Sequence, residues 1–460
     1  MTAEPATRRV IVLCDGTWLG RDTNTRSNIH VLARIIGIDM AGTPAEHTAS
    51  QSNIRARYFD GVGLDGGFFN YIWNGALATQ TKEECTEVYK YIVKNFAWND
   101  QVRTEVWMFG ISRGAYVVRS VAGMINNCGI IRDPTNDTLI NQVYDLYRSV
   151  DEACHPSSPE MSQFRARVSF EAPTPIKFMG IFDTVGSRGI PKLNYDAGVG
   201  FEWPEFHDNH VSTAVEKVYH AVAIHDRLWA FQPCLASRRP RAPDEDPAPA
   251  SHRIYQKWFP GCHYDLARQE FQFFREGGSL LERLSFPMLN AFSKTVSPNH
   301  KLADLVLIWM LEGIREENGG AIIRFSASGG ALPPPAVDAV ITSTRQRLLH
   351  QSPIGTGDMY EDIASYLPGG RLISAPLQWV RRLDDTAYAV LFKPADRVKP
   401  DPGINNASAA VRNEIYRYDV DNGDLEGNII QDIAGVGVGR YPSQTYQNYI
   451  AYMQAVGRPP

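Results

Sequence analysis

Residues 104–125 constrain this chain more than any other stretch: Thr104-Glu-Val-Trp-Met-Phe-Gly-Ile-Ser-Arg-Gly-Ala-Tyr-Val-Val-Arg-Ser-Val-Ala-Gly-Met-Ile125. An apolar run, Val106 to Phe109, meets Gly110-Ile111-Ser112-Arg113-Gly114. A segment with helical spacing follows, placing Val117, Val118, Val121, Ala122 and Ile125 on one side. Strand, Gly-flanked sharp turn and helix are the context that turns a loose G-x-S-x-G match into a nucleophile elbow rather than an ordinary turn serine. The glycines leave room around a serine held in strained backbone. The helix beginning just after Ser112 aims its free N–H groups at negative charge forming there.

Short apolar runs ending in polar or Gly-rich turns recur along the chain. They are Arg9–Cys14 before Asp15, Arg55–Phe59 before Asp60, Glu105–Phe109 before the elbow, Lys177–Phe182 before Asp183, Val218–Ile224 before His225, and Tyr255–Phe259 before Pro260-Gly261. Helical segments lie between them at Lys82–Phe96, Ala115–Asn126 and Thr138–Asp151. This alternation predicts an α/β fold with a mainly parallel central sheet and helices on both faces. Ligands bind such sheets beyond the carboxyl ends of the strands, where Asp15, Asp60, Ser112, Asp183 and His263 all fall. Further helical patterns cover Asp265–Glu276, Ser279–Phe292 and Leu302–Glu317. The expected organisation is a main domain over 1–325, carrying a charged Pro-rich insertion at 236–251, and a C-terminal cap or accessory region over 326–460.

A serine hydroxyl is a poor nucleophile at neutral pH, so it needs a base to take its proton and a third group to orient that base. The chain offers serine, acid and histidine in that order, with Asp183 and His263 each freed by a turn at the same sheet edge. Asp226, Asp265 and His225 compete for these roles, and Asp265 stands close enough in sequence to orient His263. An oxyanion hole needs the N–H after the nucleophile, that of Arg113, and a second donor from another loop. Asp15-Gly-Thr-Trp18 suits the second part: Gly16 permits the turn and Thr17 or Trp18 presents an N–H. Asp15 and Asp60 are candidate supporting residues. Two weaker motifs carry less. Gly61-Val-Gly-Leu-Asp-Gly66 is a lone G-x-G-x-x-G match without a clear helix start. His207-Asp-Asn-His210 has no third ligand fixed by spacing, so neither a metal nor a cofactor is expected.

The net charge of −5 over 460 residues, with no basic run, argues against nucleic acid as a partner. Leu302–Ile314 is too short to span a bilayer and carries Asp304 and Glu312, so no transmembrane segment is expected. The start has no apolar signal core, and six scattered cysteines form no C-x-x-C pair. A cytoplasmic protein is the expectation, with the oligomeric state left open.

Taken together, several motifs resemble a little-characterised α/β-hydrolase domain family that includes the phospholipase effectors delivered by type VI secretion. They are Ile11-Val-Leu-Cys-Asp-Gly-Thr-Trp18 with Ser27-Asn-Ile29, Tyr58-Phe-Asp-Gly-Val-Gly63, Phe109-Gly-Ile-Ser-Arg-Gly-Ala-Tyr116 with Arg119, and Phe178-Met-Gly-Ile-Phe-Asp-Thr-Val-Gly186. Tyr219-His-Ala-Val-Ala-Ile224, Trp258-Phe-Pro-Gly-Cys-His263 with Asp265, and Leu302-Ala-Asp-Leu-Val-Leu-Ile-Trp-Met310 complete the set. The resemblance runs from about residue 9 to 317. It implies an α/β-hydrolase fold, a Ser112–Asp183–His263 triad and ester hydrolysis, in the effectors at phospholipid acyl bonds. The chain departs from the family in two places: Asp265-Leu-Ala-Arg-Gln269 replaces its glycine run, which bears on substrate range, and His225-Asp226 stands where acidic residues are usual.

The resulting expectation is a stand-alone, fungal-type serine hydrolase acting on carboxylic esters of a lipid or hydrophobic small molecule. Phe68, Phe69, Tyr71 and Trp73 either line an apolar entrance or pack in the core. A hydrolase or lyase of a non-ester bond on the same triad and a catalytically silent binding protein are the alternatives.

Overall fold

Val10, Ile11, Val12 and Leu13 are all fully buried, so the first strand is covered on both faces, as its unbroken apolar run requires. The structure is a computed structural model. It describes residues 4–16, 19, 26–46, 53–61, 77–185, 211–223, 233–236, 238, 251–259, 261–269, 298, 300–317, 319–326, 330–333 and 335–350, together with short strand pieces at 192–193, 201–202, 271–272, 295–296, 432–433 and 436–437. Strands β1 (Ala6–Cys14), β2 (Ala45–Glu46), β3 (Ile54–Phe59), β4 (Val102–Ile111), β5 (Ile176–Phe182), β6 (Val215–Ala223) and β7 (Arg253–Phe259) form one sheet. Its order is β2-β3-β1-β4-β5-β6-β7, and every pairing is parallel except that of the edge strand β2 with β3.

Alternate residues of β1 enter two separate cores. Ile11 and Leu13 pack with α1 (Asn28–Ile36) and with the long helix at His300–Glu316. Val10 and Val12 pack with α2 (Leu77–Asn95), α3 (Arg113–Cys128), α4 (Asp137–Arg148) and α5 (Pro159–Val168). The period of two in side-chain direction thus sorts one strand between two helical layers. From β1 the chain winds to β3 on one side and to β4 on the other, so the topological switch lies between β1 and β4. That is where doubly wound sheets open a crevice at their carboxyl edge. The α/β-hydrolase reading of the sequence is the fold observed.

After β7 come α6 (His263–Ala267), α7 (His300–Glu316) and α8 (Ala336–His350). The helix expected over 265–276 stops at Ala267, because Arg268 turns left-handed at φ 60°. Its guanidinium pairs with Asp304 and its Nε donates to Asn28 Oδ1 at 3.2 Å. Asp304 is fully buried within the apolar helix α7, and Arg347 of α8 reaches it at 3.1 Å. Helix α8 lies beyond the 325 boundary, yet Val337, Val340, Ile341 and Leu348 join the same core as α7. The helix expected at 279–292 and the interior of the 236–251 insertion lie outside the described residues. No described helix is long and apolar enough to cross a membrane.

Candidate active site

Close packing dictates the Gly110 and Gly114 positions. A methyl on Gly110 would stand 2.5 Å from the carbonyl oxygen of Gly114, and one on Gly114 would stand 2.1 Å from that of Cys14. Both glycines let α3 press its first turn against the ends of β4 and β1. Between them Ser112 adopts φ 54° and ψ −117°, a conformation a serine holds only when its surroundings impose it. Its N–H donates to the carbonyl of Phe182 at 2.9 Å, tying the turn to β5.

Asp183 ends β5 in a second left-handed turn, φ 39°, with its N–H on the Ala221 carbonyl at 2.7 Å. Carboxylate oxygen Oδ1 accepts the N–H of Ala223 at 3.0 Å, which leaves Oδ2 for His263 Nδ1 at 2.6 Å. His263 Nε2 stands 2.9 Å from Ser112 Oγ. A carboxylate only accepts, so Nδ1 carries the ring proton and Nε2 presents its lone pair to the serine hydroxyl. Asp183 and His263 are 0% and 2% exposed against 9% for Ser112, so the serine is the most exposed of the three. Three side chains distant in sequence thereby meet at the carboxyl edge of β4, β5 and β7.

The competitors separate. Asp183 and Ser112 face the two ring nitrogens of His263, and Asp265 Oδ2 accepts the N–H of Cys262 at 2.9 Å and so caps the short helix that His263 opens. His225, Asp226, Thr17, Trp18, the histidines of 207–210 and the aromatic residues of 68–73 lie outside the described residues.

Asp15 is buried and collects three donors: the Ser27 hydroxyl and Tyr58 hydroxyl on Oδ2, each at 2.6 Å, and the Gly16 N–H on Oδ1 at 2.9 Å. Ser27 also caps α1, accepting from the His30 N–H at 2.9 Å. One carboxylate therefore joins β1, β3 and α1 behind the loop at residue 16. Burial pushes its carboxyl up to about 6 despite those three bonds. The Gly16 N–H is engaged with Asp15, while its Cα packs against the elbow, where an added methyl would meet Ser112 Cβ at 3.1 Å. Arg113 carries the N–H that follows Ser112, and its guanidinium reaches Glu84 of α2 at 3.4 Å. Burial raises Glu84 to about 7, against the pull of Arg113. Asp60 lines, with Asp15, Tyr58, Glu84 and Gly114, a cleft of 560 Å³ on this side of the elbow. Sequence reasoning did not find Ser27, Tyr58 and Ala223 as partners, although all three stand in the motifs that carry the family resemblance.

A family described as "T6SS, Phospholipase effector Tle1-like, catalytic domain" matches residues 8–313, the span from β1 nearly to the end of α7. The chain belongs to that family. Ser112, Asp183 and His263 all lie inside the matched span. An uncharacterized protein of Saccharomyces cerevisiae is 26% identical over 160 residues, which cover 34% of this chain and 21% of the yeast protein. The chain thus matches about a fifth of that relative's length. The solved structure of the Tle1 effector bound to the VgrG spike of the type 6 secretion system overlaps 77% of this chain and 82% of its own, at 15% identity and a TM-score of 0.36. An uncharacterized protein from Pseudomonas aeruginosa overlaps 76% of this chain and 52% of its own, at 14% identity and a TM-score of 0.34.

Proposed function

We propose that the protein is a serine hydrolase that cleaves carboxylic esters of a lipid or another hydrophobic molecule through an acyl-enzyme. The observation that carries this reading is the unbroken chain Ser112 Oγ, His263, Asp183 at 2.9 and 2.6 Å, in a family of phospholipase-effector-like domains. His263 Nε2 takes the hydroxyl proton as Ser112 attacks the ester carbonyl, and Asp183 stabilises the imidazolium that forms. The tetrahedral oxyanion falls to the Arg113 N–H, with Thr17 or Trp18 supplying the second N–H. Collapse expels the alcohol, which takes the proton from His263. Water then repeats the sequence on the acyl-enzyme, with the same base.

Every proton transfer runs through His263, so the proposal includes no cofactor. It also includes a cytoplasmic location, a catalytic unit that extends from 1–325 through α8, and an accessory role for the chain beyond that helix. A fluorophosphonate probe should label the wild-type protein and leave Ser112→Ala unlabelled. Comparing p-nitrophenyl esters of short and long acyl chains with phospholipid vesicles assigns the substrate class. A folded wild-type protein that stays unlabelled would exclude the serine mechanism and favour a binding role.

A further inference from the structure

Tyr219-His-Ala-Val-Ala-Ile224 stands among the sequence motifs, yet the site described above takes from it only backbone groups, the Ala221 carbonyl and the Ala223 N–H. His220 is fully buried on β6, directly opposite Gln256 in the β6–β7 register. Its Nδ1 stands 2.8 Å from Gln256 Oε1, and that same oxygen accepts the N–H of Ala236 at 2.9 Å. An amide oxygen only accepts, so His220 Nδ1 carries the proton and Nε2 is an acceptor. Facing Nε2 are the hydroxyl and the N–H of Thr184, at 3.3 and 3.4 Å.

Thr184 immediately follows Asp183, whose left-handed backbone must be enforced from outside. The Thr184 carbonyl accepts the N–H of Cys234 at 2.8 Å. Arg119 of α3, two helical turns beyond Ser112, donates to the carbonyls of Cys234 and Leu235. One buried polar network therefore runs from the helix behind the nucleophile, through 234–236 and Gln256, to His220 and the turn that bears the acid.

We propose that His220 is a positioning residue: through Gln256 and Thr184 it locks the turn that aims Asp183 at His263. The inference rests on the Ser112–Asp183–His263 reading and deepens it. A neutral imidazole suits the task because it donates on one side and accepts on the other, matching two partners of opposite character. No isosteric apolar side chain does both, and leaving Thr184 unmatched in a buried site frees the turn to rotate.

A histidine that merely fills the core would affect stability alone; a positioning residue must also move the rate and the His263–Asp183 proton. The test uses His220→Phe, His220→Gln and Thr184→Val in the full chain. Three readouts apply: the rate of Ser112 labelling by a fluorophosphonate, kcat and KM for p-nitrophenyl butyrate across pH, and the low-field proton resonance of His263 Nδ1–H. His220→Phe should lower kcat and labelling by about 10²-fold, the cost of displacing a catalytic group by about 1 Å, with KM nearly unchanged and the resonance shifted or broadened. His220→Gln keeps a donor toward Gln256 and an acceptor toward Thr184, and should recover most of the rate. Thr184→Val should lower the rate in the same direction, and the Thr184→Val/His220→Phe pair should add little beyond His220→Phe.

A folded His220→Phe protein with wild-type rate and resonance would overturn the inference. Should His220→Phe not fold, Thr184→Val decides: an unchanged labelling rate and resonance overturn it, and a slowed, shifted enzyme supports it. Wild-type protein that never labels at Ser112 fails the hydrolase reading and this inference together. Labelled wild type with an indifferent His220 fails the inference alone.

Discussion

Substituting Gly114 by alanine tests whether the elbow's geometry rests on helix-to-strand contact. The new methyl would sit 2.1 Å from the Cys14 carbonyl oxygen and 2.5 Å from that of Asp15. A relaxed carbon–oxygen contact needs about 3.3 Å, so roughly 1.2 Å must be found. Neither obstacle is a flexible side chain: Cys14 pairs with Gly110 on one side and with Phe59 on the other. The first turn of α3 must therefore lift, carrying Ser112 away from its 2.9 Å contact with His263. Overpacking of this kind costs about 1–3 kcal/mol, and a displacement near 1 Å costs about 10²-fold in rate. Gly110→Ala meets the Gly114 carbonyl at 2.5 Å, and Gly16→Ala meets Ser112 Cβ at only 3.1 Å. Loss of fluorophosphonate labelling and of urea midpoint should thus rank Gly114, then Gly110, then Gly16. A Gly114→Ala protein with wild-type midpoint and labelling rate would refute the reasoning.

Under the proposed mechanism His263→Ala should cost on the order of 10⁶ in turnover of p-nitrophenyl esters; a tenfold loss would move the base elsewhere. Asp183→Asn should cost about 10⁴, since an amide can donate to Nδ1 and stabilise the wrong tautomer, with folding checked by circular dichroism. Burial lifts Asp15 from 3.8 to about 6, so the folded state holds that proton more tightly than the unfolded chain. Its contribution is then most favourable below pH about 4 and is lost as pH rises to about 6, on the order of 3 kcal/mol. Urea titrations from pH 4 to 7 should show this decline in the wild type minus Asp15→Asn difference; a flat difference would contradict it.

The strands were legible because buried parallel strands need unbroken apolar runs: Arg9–Cys14 is seen as part of β1, and Lys177–Phe182 as nearly all of β5. Strand β2, two residues long, has no pattern to read. Helix α5 is weakly amphipathic, with only Met161 and Phe164 buried, so its periodicity is faint. The early stop at Ala267 was hidden for another reason. It depends on Arg268 meeting Asn28 and Asp304, which come from distant parts of the chain.

Local sequence alone determined the elbow: a strand, two glycines and a helix state the serine's backbone within residues 104–125. It also supplied an acid and a histidine at strand ends, in usable order. Which acid and which histidine were partners was decided only by the sheet, because parallel strand order is set by long-range pairing and crossover packing. Those interactions bring Asp183 to His263 and turn Asp265 into a helix cap. Hydrogen-bond partners of buried charges follow the same rule: Asp15, Ser27 and Tyr58 meet only where β1, β3 and α1 converge, and no spacing along the chain records that meeting.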